Sequence, residues 1–161
     1  MWSRLTCAAV GAAAMLGSAG TGHAAITVLG GGYAQACSEA ALGGEVEKRF
    51  EDLCTLALDT EILDLRDRAG TLVNRGVFKL RRLDYGAALK DFDAAVKQDP
   101  KLGEALVNRG AARIGLRQPE AGLADINRAF ELGVPEPAKA HFNRALAYEK
   151  LGDLRSAWLD Y

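Results

Sequence analysis

Residues able to do chemistry fall into two groups in this chain, a few that stand apart and a set that recurs. His23 and His141 are the two histidines, and neither belongs to a nucleophile, base and carboxylate set or to a metal-ligand spacing, so no catalytic residue, metal ligand or cofactor is assigned. The recurring set is Asn74-Arg75-Gly76, Asn108-Arg109-Gly110 and Asn143-Arg144-Ala145, spaced by 34 and then 35 residues. An Asp follows each Arg at a constant distance of 16 residues, as Asp91, Asp125 and Asp160. A carboxamide carries both a donor and an acceptor and can pair with peptide backbone while ignoring side chains. A guanidinium can hold a carboxylate through two charge-assisted hydrogen bonds.

The elements that position these residues follow from the period. A unit of about 34 residues holds two short helices that cannot bury their apolar faces alone, so neighbours must stack into a solenoid. The first full unit, 69–102, runs Leu72, Gly76, Ala88, Phe92, Ala95, Pro100. The second, 103–137, runs Leu106, Gly110, Gly122, Ile126, Ala129 and reaches Pro135 one residue late, which accounts for the longer second spacing. A truncated third, 138–161, shows Ala145, Tyr148, the turn Leu151-Gly152-Asp153 and Ala157. Small residues thus stand where two helices must cross closely, with large ones beside them.

At these residues the chain resembles the tetratricopeptide repeat family, whose helix-turn-helix units carry small residues at the crossing and a Pro near the end. The resemblance covers roughly 69–161 and implies an all-α fold, a right-handed solenoid preceded by a helical hairpin. Lys79 and Arg113 depart from it by standing where the family often has Tyr, and His141 stands where the other units have Leu72 and Leu106. In the family's geometry Arg75 and Asp91, Arg109 and Asp125, Arg144 and Asp160 approach as structural ion pairs. An anion site built from the three arginines is the alternative, and it requires those aspartates to look elsewhere. The resemblance also places Asn74, Asn108 and Asn143 on the concave groove formed by the first helices, a position family members use to hold peptide backbone or a terminal carboxylate. Around them it places Val73, Val77, Leu80, Val107, Ala111, Ile114, Phe142 and Leu146, with Glu104 and Lys139 near the edge. The opposing account is that each Asn only bonds a neighbouring helix.

Ahead of the repeats, Arg4, the apolar run Leu5 to Leu16 and Gly22-His23-Ala24 read as a secretory signal peptide, 1–24, cleaved after Ala24. An uncleaved anchor and a lipid-modified Cys7 are the weaker readings, because the run is short and diluted for a span and Arg4 disfavours a lipoprotein signal. Residues 25–32 read as an extended arm and a Gly30-Gly31-Gly32 linker. A phosphate loop is disfavoured there because no Gly-Lys-Ser/Thr follows. Segment 33–68 reads as a hairpin and degenerate first repeat, with helices at Tyr33–Leu42 and Glu45–Leu58 and a longer connection over Asp59–Arg68. Cys37 and Cys54 remain once the signal is gone, and an even number in an exported chain points to a disulfide.

The 21 acidic and 20 basic side chains nearly balance, which argues against a nucleic-acid partner. No second run is apolar enough to span a bilayer. The expectation is therefore a periplasmic or secreted scaffold that binds a protein or peptide. Two alternatives stand beside it: a homo-oligomer formed through an uncapped end at Trp158 and Tyr161, and, more remotely, an enzyme.

Overall fold

The computed structural model describes residues 23–28 and 32–161, which form eight α-helices. They are α1 (Tyr33–Leu42), α2 (Lys48–Thr60), α3 (Leu65–Arg81), α4 (Tyr85–Gln98), α5 (Gly103–Gly115), α6 (Pro119–Leu132), α7 (Pro137–Leu151) and α8 (Leu154–Asp160). Each packs against the next in sequence, giving four helix pairs. The first helices of successive pairs, α1, α3, α5 and α7, also touch one another, whereas among the described residues the second helices α2, α4, α6 and α8 do not. The stack therefore curves, with the first helices on its inner side. This is an all-α helical repeat superhelix.

Local chemistry sets the boundaries. Asp64, Asp84 and Asp153 accept the backbone N–H of Asp67, Ala87 and Ser156, capping α3, α4 and α8. Pro119 and Pro137 open α6 and α7, where a missing N–H costs nothing. The cap at Asp64 starts α3 at Leu65, so the longer connection expected over Asp59–Arg68 is mostly helix: α2 runs on to Thr60. α2 in turn begins at Lys48, three residues later than its apolar spacing suggested. The turns within all four pairs use one device, a residue with positive φ at Gly44, Leu83, Arg117 and Gly152.

Packing explains the small residues. A Cβ on Gly76 would stand 2.4 Å from the ring of Phe92, which is fully buried. At Gly110 and Gly122 the two helix backbones meet, and a Cβ on either would fall within 2.9 Å of the other's carbonyl oxygen. Core clusters run the length of the stack, one around Val73, Val77, Leu80 and Phe92 and the next around Leu106, Ile114, Ile126 and Ala129. At the amino-terminal end Cys37 of α1 and Cys54 of α2 form a disulfide with a Cα–Cα separation of 5.0 Å, buried beside Phe78.

Candidate functional site

The inner face carries a row of buried polar side chains at the same place on successive first helices. Asn74 on α3, Asn108 on α5 and Asn143 on α7 are all buried. An apolar wall would not pay the desolvation of a carboxamide without partners, and for two of the three the partner is an extended segment of the chain itself. Asn74 Oδ1 accepts the N–H of Ile26 at 2.7 Å while its Nδ2 donates to the carbonyl of Ile26 at 2.6 Å. Asn108 repeats the exchange with Ala24, at 3.0 and 2.5 Å. Both partners lie far away in sequence, at separations of 48 and 84 residues.

Ser38 adds a rung that the sequence reading missed. Its Oγ accepts the N–H of Val28 at 3.0 Å and donates to the carbonyl of Ile26 at 2.9 Å. It sits on α1, following Cys37 as Asn74 follows Val73. Three successive first helices thus hold alternate residues Val28, Ile26 and Ala24, and the segment runs antiparallel to the order of the repeats. Side chains enter less selectively. Ala24 and Val28 are buried, Ile26 is half-buried and Thr27 is exposed. Ala25 packs on the disulfide cluster and Ile26 on the cluster around Val73 and Val77.

Gly70 lets the arm come close. A Cβ there would lie 3.2 Å from Cγ2 of both Ile26 and Val28. The end of the arm at α1 is tied separately, since Glu61 accepts the N–H groups of Tyr33 at 2.5 Å and Ala34 at 3.1 Å. His23, next to the arm's first rung, is largely buried, and its Nδ1 finds no hydrogen-bond partner among the described residues. Burial, reinforced by the positive charges of Arg81 on α3 and Lys139 on α7, pushes its pKa from 6.5 down to about 4.

The other groove positions divide. Val73, Val77 and Val107 are buried, while Ala111 and Leu146 are half-buried. Phe142 is exposed and lies edge-on to Tyr161, with ring centroids 5.9 Å apart. Lys139 pairs with Glu136 at 2.5 Å.

Each arginine that follows an Asn grips an aspartate with two nitrogens. Arg75 reaches Asp91 at 3.0 and 2.7 Å, Arg109 reaches Asp125 at 2.9 and 2.7 Å, and Arg144 reaches Asp160 at 2.6 and 2.7 Å. The aspartates are nearly buried, so each carboxylate needs the pairing it has. Every one also receives a third donor: Lys79 at 2.6 Å, Arg113 at 2.7 Å and His141 at 2.7 Å. Lys79 and Arg113 therefore have a use at positions where a Tyr was the expectation. In the third unit that position holds Tyr148, and His141 supplies the third contact instead. His141 stands at the place of the buried Leu72 and Leu106 but is itself partly exposed, with its ring 4.7 Å from that of Phe130. The hydrogen bonds from Arg144, and then His141, hold the Asp160 carboxyl below the usual range. Bonds to Asp125 and Asp160 raise Arg109 and Arg144 correspondingly.

Among the described residues no group of three or more His, Cys, Asp or Glu side chains could hold a metal ion. No helix of the described residues is long and apolar enough to cross a membrane.

Comparison with known proteins agrees with the helical-repeat fold. No family model matches the chain. It is similar to Protein STIP1 homolog of Dictyostelium discoideum, with 32% identity over 90 residues, which are 56% of this chain and 16% of that protein. The chain thus spans only a small part of that relative's length. Among solved structures it is similar to MamA 41-end from Desulfovibrio magneticus RS-1, with a TM-score of 0.63 and 23% identity over 80% of this chain and 68% of that one.

Proposed function

We propose that this protein, whose period and helical stack are those of a tetratricopeptide-repeat protein, is a binding scaffold that takes an extended segment of a partner protein into its inner groove. One observation carries the reading. Asn74 and Asn108 each give and accept a backbone hydrogen bond with alternate residues of an extended segment. Donor and acceptor in one side chain suit any peptide backbone, since every non-proline residue offers the complementary pair. Asn143, on α7 at the same position, is the third rung in this reading. Apolar Val73, Val77, Val107, Ala111 and Leu146 supply the walls, and Phe142 and Lys139 the far end. The three arginine-aspartate clusters serve structure, tying the two helices of each unit together.

The disulfide supports an oxidising address, periplasmic or secreted. The leader read at 1–24 falls largely outside the described residues, and because Asn108 holds Ala24 through two backbone hydrogen bonds, this reading ends the leader before His23 rather than after Ala24. The function is binding rather than catalysis, with no cofactor.

The test is crosslinking in cells followed by mass spectrometry, comparing the natural chain with Asn74→Ala/Asn108→Ala/Asn143→Ala at unchanged helicity. A partner captured by the natural chain and lost by the variant supports the groove; a partner retained by the variant refutes it. A second reading, self-association, is favoured by exposed apolar side chains at one end, where Leu154, Trp158, Leu159 and Tyr161 are each more than half exposed. Sedimentation that finds a monomer at high concentration would exclude it.

A further inference from the structure

The segment that fills the rungs belongs to the protein itself. We propose that residues 24–28 are a tethered pseudo-ligand, and that a partner enters the groove by displacing them. The incoming segment would be extended, with small or β-branched apolar residues at alternate positions, and would run from the α5 rung toward the α1 rung. This rests on the groove reading given above and adds its regulation and the chemistry of its ligand.

Three features of the arm support displacement. First, the rung bonds go to its backbone, so nothing in them distinguishes the arm from another chain in the same conformation. Ile26 is apolar and half-buried, Thr27 projects outward, and the tightly enclosed residues are Ala24 and Val28, so the groove tests size at every second residue and little else. Second, the arm can leave without uncapping α1, because the first N–H groups of that helix are held by Glu61 from the end of α2. Third, the chain between arm and helix contains Gly30-Gly31-Gly32, the residue type that least resists a change of backbone direction. Gly32 itself has φ of 93°, and a Cβ there would collide with Glu61.

A tethered competitor lowers apparent affinity by the fraction of molecules in which the groove is open. A short tether gives an effective concentration of about millimolar order. A weakly bound segment is therefore excluded, and a partner must offer either more rungs or better walls than the arm.

The probe is a fluorescent peptide copying residues 23–29, blocked at both ends, read by anisotropy against four full-length chains: the natural one, Ile26→Pro, Ile26→Cys/Gly70→Cys and Asn74→Ala/Asn108→Ala. Ile26→Pro removes the N–H that Asn74 accepts while keeping the residue apolar and extended. Ile26→Cys/Gly70→Cys locks the arm down: a Cβ on Gly70 would lie 3.7 Å from that of Ile26, within the span a disulfide bridges. The expected result is binding about tenfold or more tighter to the Ile26→Pro chain than to the natural one, and none to the oxidised double-cysteine chain.

Equal affinity for the natural and Ile26→Pro chains, lost on Asn74→Ala/Asn108→Ala, would overturn displacement and leave the groove reading intact. Failure of a folded Ile26→Pro chain to bind would overturn both. Should Ile26→Pro not fold, the locked chain decides: binding equal to that of the natural chain refutes the proposal.

Discussion

Replacing Asn74 with alanine removes one side chain and two hydrogen bonds from a fully buried site. Their loss is unequal. The Ile26 carbonyl keeps Ser38 Oγ at 2.9 Å, whereas the Ile26 N–H loses its acceptor. A buried donor left unpaired costs about 1–3 kcal/mol and a bond with a surviving alternative about 1 kcal/mol, so docking of the arm weakens by about 2–4 kcal/mol. At about 1.4 kcal/mol per factor of ten, the undocked arm becomes about 30 to 1000 times more populated. The effect is capped at the arm's own docking free energy, because an arm already free has nothing further to lose. Hydrogen exchange at the amide of Val28 reads this cleanly, since its acceptor is Ser38 and the substitution does not touch it. Protection at Val28 should fall by that factor or to zero, while amides of α4 and α6 keep theirs. Unchanged protection at Val28 would refute the view that the rungs hold the arm cooperatively.

Other expectations concern the frame. Gly76→Ala places a methyl 2.4 Å from the Phe92 ring, an overlap that costs about 1–3 kcal/mol and outweighs the helix-propensity gain, whereas Gly86→Ala meets nothing within 4 Å and keeps that gain. Thermal melts should therefore shift in opposite directions, and shifts of the same sign would contradict the packing described. Removing the disulfide with Cys37→Ala/Cys54→Ala frees a link across a sequence separation of 17, worth about 3 kcal/mol on loop-entropy grounds. Denaturant unfolding should show the loss, and an unchanged midpoint would mean the thiols are not joined. His23 should titrate by NMR near about 4 in the full chain. Its folded pKa lies below the unfolded value, so the undocked arm binds the extra proton. Docking is therefore strongest above the ordinary value of about 6.5 and weakens as pH falls toward about 4. A midpoint at the ordinary value would place His23 in water.

The sequence announced the repeating frame through residues whose spacing packing enforces. Gly76 and Gly110 must be small because Phe92 and Ile126 lie against them, and that constraint recurs once per unit. The use of the groove was harder to read. Ala24 and Ile26 meet their rungs across separations of 84 and 48 residues, and the glycines between arm and hairpin carry no periodicity from which a register could be projected. Ser38 escaped because it is a different residue type, placed 36 residues before Asn74 and so out of step with the repeat. The third donors to the aspartates escaped for a related reason. Lys79, Arg113 and His141 do equivalent work from different chemistry, and for His141 from a different turn of the helix, so no common letter marks them.

The curvature of the stack has a metrical consequence. Two residues of extended chain advance about 6.6–6.8 Å, whereas packed helices stand about 8–10 Å apart. A straight stack would outrun a strand after a few units, and the carboxamides would drift out of step with the amides they hold. Because the first helices touch across successive pairs and the second helices do not, their inward-reaching side chains converge toward a smaller radius. Bending therefore acts as a gauge, bringing the pitch of the protein down to the pitch of a strand. Each further unit of the solenoid would then measure off two more residues of whatever lies in the groove, and flattening the stack would disengage the far rungs before the near ones.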